Sequence, residues 1–306
     1  DNAASYYSTS SFSLSCSDQG VAVTSAIFEN NYAKLGGALG MPPKRKNGIF
    51  DITASTFINN TAGTGGAAYA SGINSGVQLS EICNLEENSA ESGGAIAIEN
   101  QAGLRIQNTV ANKNNAKGDG GFLFARFATP ILLSDVHIQG SSTNKEGGGG
   151  GIAIYSTSVA LERVVLNRCS AGKRGGGGIL LDRGAEGHLL GCSMDENSVQ
   201  DFSGGHVHVA ASSMVVHSIG VRLTWPDQEP VFPDAVVLRA VQSTSMIRGE
   251  AEVFGGSVSC IASYSNNVLA LFLSEEEGKT NCRSSLYEHR MYNESCVADD
   301  KVGWEH

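Results

Sequence analysis

The chain has 306 residues, with 31 acidic against 21 basic side chains and a formal net charge of −10 at pH 7. That balance argues against nucleic acid or an anionic membrane as partner, and no run of about 18 apolar residues provides a membrane span. Glycine is frequent at 38 residues and proline scarce at 6; with no Gly-X-Y period, collagen is excluded and many tight corners between short strands are implied.

Phe12-Ser13-Leu14 reads as the glycine-led strand of a turn whose beginning is missing. A two-part pattern then recurs. Its second half is a glycine pair followed by small and aliphatic residues: Gly36-Gly37-Ala38-Leu39, Gly65-Gly66-Ala67-Ala68, Gly93-Gly94-Ala95-Ile96 and Gly120-Gly121-Phe122-Leu123. Three more copies begin at Gly149, Gly176 and Gly204, and the seven are spaced by 27 to 29 residues. Upstream of each pair lie two apolar pairs and a corner residue, such as Val21, Val23, Ala26, Phe28 and Asn31. The next copy is Phe50, Ile52, Ser55, Phe57 and Asn60, with Ser55 in an apolar slot. The third, Val77, Leu79, Cys83, Leu85 and Asn88, carries one inserted residue. The pattern continues to Gly187, Leu189, Cys192, Met194 and Asn197, and in weaker form beyond residue 214.

Alternation over three or four residues marks short strands with one buried face. No stretch of period 3.6 is long enough for a helix. A unit of three short strands cannot bury its own apolar face, whereas stacked units form a continuous core. The expected fold is all-β: a single-stranded right-handed parallel β-helix, a solenoid with about 28 residues and three short strands per turn. Nine or ten turns rising about 4.8 Å each give a rod roughly 40 Å long. The β-helix is expected over residues 1–274, with 275–306 an irregular Cys-containing tail or the start of a following region. The sequence begins at Asp1 without a visible signal peptide, and we expect it to be a section of a larger protein.

Gly-Gly-Ala-Ile combined with Phe-x-x-Asn resembles the repeats of the polymorphic outer-membrane proteins of chlamydiae, also found in large surface proteins of algae and other protists. Phe28-Glu29-Asn30-Asn31, Phe57-Ile58-Asn59-Asn60 and Gly93-Gly94-Ala95-Ile96 carry the match, which spans roughly residues 21–210. The resemblance implies a right-handed parallel β-helix displayed at a cell surface, in adhesion or as a coat.

The Asn column suits corners that need left-handed backbone angles, and its amides can bond neighbouring turns. In the glycine-led strand, parity sends Leu39, Ala68, Ile96, Leu123, Ile152, Ile179 and Val207 inward. The outward positions are then Ala38/Gly40, Ala67/Tyr69, Ala95/Ala97, Phe122/Phe124, Gly151/Ala153, Gly178/Leu180 and His206/His208. None is formally charged. A solvent-facing sheet normally carries Lys, Glu or Thr, so we expect Tyr69, Phe122, Phe124 and Leu180 to form an assembly surface. The alternative is that a loop of the same chain covers it.

No Asp pair or Gly-His-Gly arrangement of the pectin-degrading type occurs. Glu99, Arg126 and Asp182 sit at strand ends in different turns, and Glu99 with Arg126 reads as a surface ion pair. His206 and His208 share a face, but two exposed histidines are expected there instead of a zinc site. No catalysis, cofactor or metal is expected. Cys83 and Cys192 occupy inward slots too far apart to bridge and read as buried thiols. Cys282 and Cys296 are the best disulfide candidates, with Cys260 a rival partner. Asn59 and Asn293 head glycosylation sequons. The expected role is an extracellular structural or adhesive module, a subunit of a cell-surface fibre, appendage or coat. Its partners would be other protein subunits in a homo-oligomer or filament, and possibly glycans. The alternatives are a glycan-binding or glycan-cleaving β-helix, with Tyr69, Phe122 and Phe124 stacking on sugar, and a bacterial autotransporter-type adhesin.

Overall fold

The computed structural model describes residues 20–41, 48–200 and 205–209 in full, and strand backbones alone at 13–17, 210, 213–224, 236–241, 244–254, 257–261, 269–271, 281–285 and 294–296. The described residues contain no helix and stack as a parallel β-solenoid of about six turns with about 28 residues per turn. Three sheets run along the rod.

The first sheet holds both apolar pairs of each turn. Gly103–Asn112 and Ile131–Gln139 are unbroken strands, whereas Ser75–Ser80 and Cys83–Glu86 are separate. One left-handed residue bends the chain between the pairs, as at Ala54 (φ 48°), Asn108 (φ 48°) and Arg163 (φ 52°), and the turn with the inserted residue has two, Glu81 and Ile82. The second sheet arises where no alternation is visible in the sequence. Its strands directly follow the Asn position, among them Thr61–Thr64, Ser89–Ala90, Asn115–Ala116 and Ser170–Ala171. Most contribute a single buried small residue: Ala33, Ala62, Ala90, Ala116, Thr143 or Ala171. The third sheet is built from the glycine-led strands, such as Ile96–Glu99 and Leu123–Arg126. The two apolar pairs therefore share one sheet, and the Asn-x-Ala recurrence supplies another.

The inward residues of all turns form one continuous core, in which Phe28 and Phe57 stack at 4.9 Å between ring centroids. Each large aliphatic buried there contributes about 1.5–3 kcal/mol. Cys83, Cys169 and Cys192 are buried free thiols, and burial pushes Cys169 up to about 12. Ser55 keeps its apolar slot by accepting the Ala26 N–H at 3.1 Å and donating to the Thr53 carbonyl at 2.8 Å.

The Asn column works differently from the expectation. The left-handed angle falls one residue earlier, at Asn30, Asn59, Glu87, Lys113, Gly140, Arg168 and Glu196, with φ between 50° and 62°. The Asn itself bridges the corner of the preceding turn. Asn60 Oδ1 accepts the Asn31 N–H and Asn60 Nδ2 donates to the Phe28 carbonyl, both at 3.0 Å. Asn88 repeats these contacts with Asn60 and Phe57, Asn114 with Asn88 and Leu85, and Asn197 with Cys169 and Leu166. Each carboxamide thus satisfies the first carbonyl and the last N–H of a four-residue corner, groups that are costly to leave unpaired.

The spine lapses at Ser141, whose buried Oγ has no hydrogen-bond partner among the described residues. Ser141→Asn is expected to restore the bridge to Asn114 and stabilise the rod by about 1 kcal/mol. Chemical denaturation reads the gain directly, and a lower midpoint would show that the corner has no room for a carboxamide.

The ends depart from the repeat. Ser13–Ser17, expected as a glycine-led strand, instead pairs antiparallel with Gly20–Thr24 at the edge of the first sheet. Asn281–Ser285, within the tail expected to be irregular, extends the third sheet parallel to Ser257–Ile261.

Candidate functional site

Over its central turns the third sheet is buried on both faces. All four residues of Ala68–Ser71 and of Ile152–Tyr155 are buried, with none alternating to solvent. Inward parity holds for the aliphatics at strand starts but fails for the residue directly after each glycine pair. The N–H groups of Phe122 and Leu123 both bond the Gly151 carbonyl, at 2.9 and 3.0 Å, and those of Ala95 and Ile96 both bond Phe122 O. Two consecutive donors on one carbonyl make a bulge-like step, which sends two successive side chains to the same side. Phe122, expected outward, is therefore fully buried in the main core.

The genuinely outward row is Tyr69, Ala97, Phe124, Ala153 and Leu180, aligned turn by turn. Large and small residues alternate along it. With Tyr155 it forms a separate apolar cluster outside the sheet, against which Leu35 packs. Tyr69, Phe124 and Leu180 are only 3%, 7% and 2% exposed. The assembly surface expected at these residues is thus covered by the chain itself. At Gly148 a Cβ would lie 2.6 Å from Leu180 Cδ2 and 2.8 Å from Arg174 Cβ, so the loop backbone rests directly on the row. The Arg126 guanidinium lies 5.8 Å from the Phe124 ring centroid and that of Arg174 5.4 Å from the Tyr155 centroid.

A latch of polar side chains holds this cover. Asp119 Oδ1 accepts the Gly148 N–H at 2.8 Å, while Oδ2 accepts the Tyr155 hydroxyl at 2.8 Å and Arg174 Nη1 at 2.6 Å. Arg174 also reaches Asp182 at 3.4 Å, and its carbonyl accepts His208 Nδ1 at 2.7 Å. The cluster joins turns 55 residues apart in sequence. Sequence reasoning passed over Asp119, Tyr155 and Arg174, because Tyr155 ends a strand and the other two lie beside the glycine corners, at positions where residue type follows no repeat. Three donors converge on the one Asp119 carboxylate. The arrangement fastens loops.

Burial, and next the charge of Asp119, push the Tyr155 hydroxyl far above its ordinary value. A raised folded-state pKa means the native state favours the neutral phenol. That stabilisation is complete below about pH 10 and is lost as pH rises above it. Alkaline titration is expected to destabilise the protein above about pH 10, and Tyr155→Phe should flatten that limb while weakening the latch at neutral pH. An unchanged alkaline limb in the variant would remove Tyr155 as its source.

The remaining candidates fall as follows. Glu99 and Arg126 pair at 2.6 Å, and Glu99 also accepts the Tyr69 hydroxyl at 3.1 Å. His206, expected on the exposed face, is fully buried with Nδ1 3.0 Å from Asn197 Nδ2, which follows from its place directly after a glycine pair. His208 is half-buried. No group of three or more metal-ligating side chains occurs among the described residues, and no helix there is long and apolar enough to cross a membrane. Asn59 is exposed at a left-handed corner, its Nδ2 donating to Asn30 Oδ1 at 2.6 Å; Asn293 lies outside the described residues. Cys282 and Cys296 stand on adjacent antiparallel strands. A cleft of about 530 Å³ is lined by Lys117, Thr143, Asn144, Lys145, Glu146 and Gln200. Comparison with known proteins finds no matching family model, no matching curated protein and no matching solved structure.

Proposed function

We propose that the chain is an extracellular structural or adhesive β-helix module, a subunit of a cell-surface fibre, appendage or coat. One observation carries this reading. Buried polar side chains are spent on bonding one turn to the next: Asn60, Asn88 and Asn114 each close a corner of the turn before. Such bonding favours a stiff body of even cross-section, as a structural rod requires. The Gly-Gly-Ala-Ile and Phe-x-x-Asn resemblance to polymorphic outer-membrane protein repeats supports a place at a cell surface. The exposed sequon residue Asn59 fits a secretory route.

The module acts without catalysis or cofactor. Its partners are other protein subunits, met through surfaces other than the covered row. The glycan-stacking alternative is weakened, because Tyr69, Phe122 and Phe124 are all buried. Negative-stain microscopy of the native material is the test, with ordered fibres or a coat expected. Dispersed monomers that release products from pectin-like polymers would overturn the proposal. Intact mass before and after glycosidase treatment separates the secreted eukaryotic reading from a bacterial autotransporter-type adhesin.

A further inference from the structure

The backbone register at the far end of the third sheet chooses between two cysteine partners that spacing leaves open. Asn281–Ser285 pairs on one side with Ser257–Ile261 in parallel and on the other with Glu294–Cys296 antiparallel. In the antiparallel pair Cys282 stands directly opposite Cys296. In the parallel pair Cys282 stands opposite Val258, and Cys260 is opposite Ser284. Residues directly opposed across antiparallel strands have Cα atoms about 4.5–5.5 Å apart, inside the roughly 4.4–6.8 Å span of disulfides. Cys260 is two residues out of register with Cys282. That diagonal is about 7–8 Å, beyond the limit of about 7 Å for bridging without backbone movement.

We infer that Cys282 and Cys296 form a disulfide that pins the returning strand Glu294–Cys296 to the edge of the third sheet. Cys260 is left as a thiol. Cys83, Cys169 and Cys192 are buried free thiols in the solenoid core, and Cys16 lies opposite Val21 at the other end of the rod. Formation breaks two S–H bonds and makes one S–S bond. The two electrons and two protons pass to a low-molecular-weight disulfide such as oxidised glutathione, which is reduced to two thiols. The bond would hold a covering strand over a sheet edge that otherwise offers unpaired backbone groups to other chains. This inference is independent of the proposed surface role, and failure of either leaves the other standing.

The test uses the purified full chain equilibrated in oxidised and reduced glutathione, then denatured without reductant and alkylated with iodoacetamide. Of the seven cysteines, five are expected to take the label, and all seven after reduction. Cys296→Ser is expected to show six labels without reduction, because Cys282 loses its partner. Cys260→Ser is expected to show four, with the linked peptide intact. Seven labels before reduction, or a linked peptide containing Cys260, would overturn the inference.

Discussion

Gly94→Ala is expected to destabilise the protein by about 3 kcal/mol or more, read as a lower midpoint in urea. An added Cβ would lie 2.1 Å from the Gly121 carbonyl oxygen, one turn along the rod. It would also lie 2.5 Å from the Asn115 carbonyl oxygen, across the coil in the second sheet. Both obstacles are backbone, so no rotamer change relieves them. The same double approach recurs at Gly66, against Gly94 O and Ser89, and at Gly121, against Gly150 O and Ser142. The small buried residues of the second sheet, such as Ala90 and Ala116, directly follow the Ser89 and Asn115 backbone that these glycines approach. The first glycine of each pair answers a different need. Gly93 has φ +64°, and its Cβ would meet the Ile96 carbonyl oxygen at 2.2 Å. Ala95→Gly, one residue on, is the control, expected to lose only about 1 kcal/mol. A Gly94→Ala protein within about 0.5 kcal/mol of the parent would mean that the turns do not approach this closely.

Phe124→Glu is expected to weaken the fold by about 3–5 kcal/mol, because it places a carboxylate in the sealed outer cluster. Phe124 packs against Tyr155 at 5.6 Å between centroids. Its neighbouring cation, Arg126, is already bound to Glu99. Phe124→Leu keeps the apolar contact and should lose about 1–2 kcal/mol. Thermal unfolding of the two variants separates this account from the one that sequence parity suggests. If the row were an open assembly surface, the glutamate variant would keep its stability and lose only self-association in sedimentation.

The uncharged outward row is the clearest instance of a correct observation with two physical meanings. Absence of charge shows that water is excluded, but not what excludes it. A second chain and a loop of the same chain leave the same trace in Tyr69, Phe124 and Leu180. The cover carries its evidence in Gly148, Arg174 and Asp119, whose residue types do not repeat from turn to turn and so stay silent until they are placed beside the row.

The repeat by itself determined the all-β solenoid, its period of about 28 residues and the inward aliphatic columns. Those follow from alternation and from glycine spacing, both local and periodic. It also marked Asn60 and its counterparts as corner residues able to bond neighbouring turns. Only the tertiary structure decided that the left-handed angle belongs to the residue before each Asn, because the carboxamide is held by groups about 30 positions away. It likewise decided that a bulge turns Phe122 inward, that the outer row is sealed, and that the strand carrying Cys296 pairs in register with Cys282. Each of these depends on register between turns or on aperiodic loops, and register is a relation between segments that no single segment encodes.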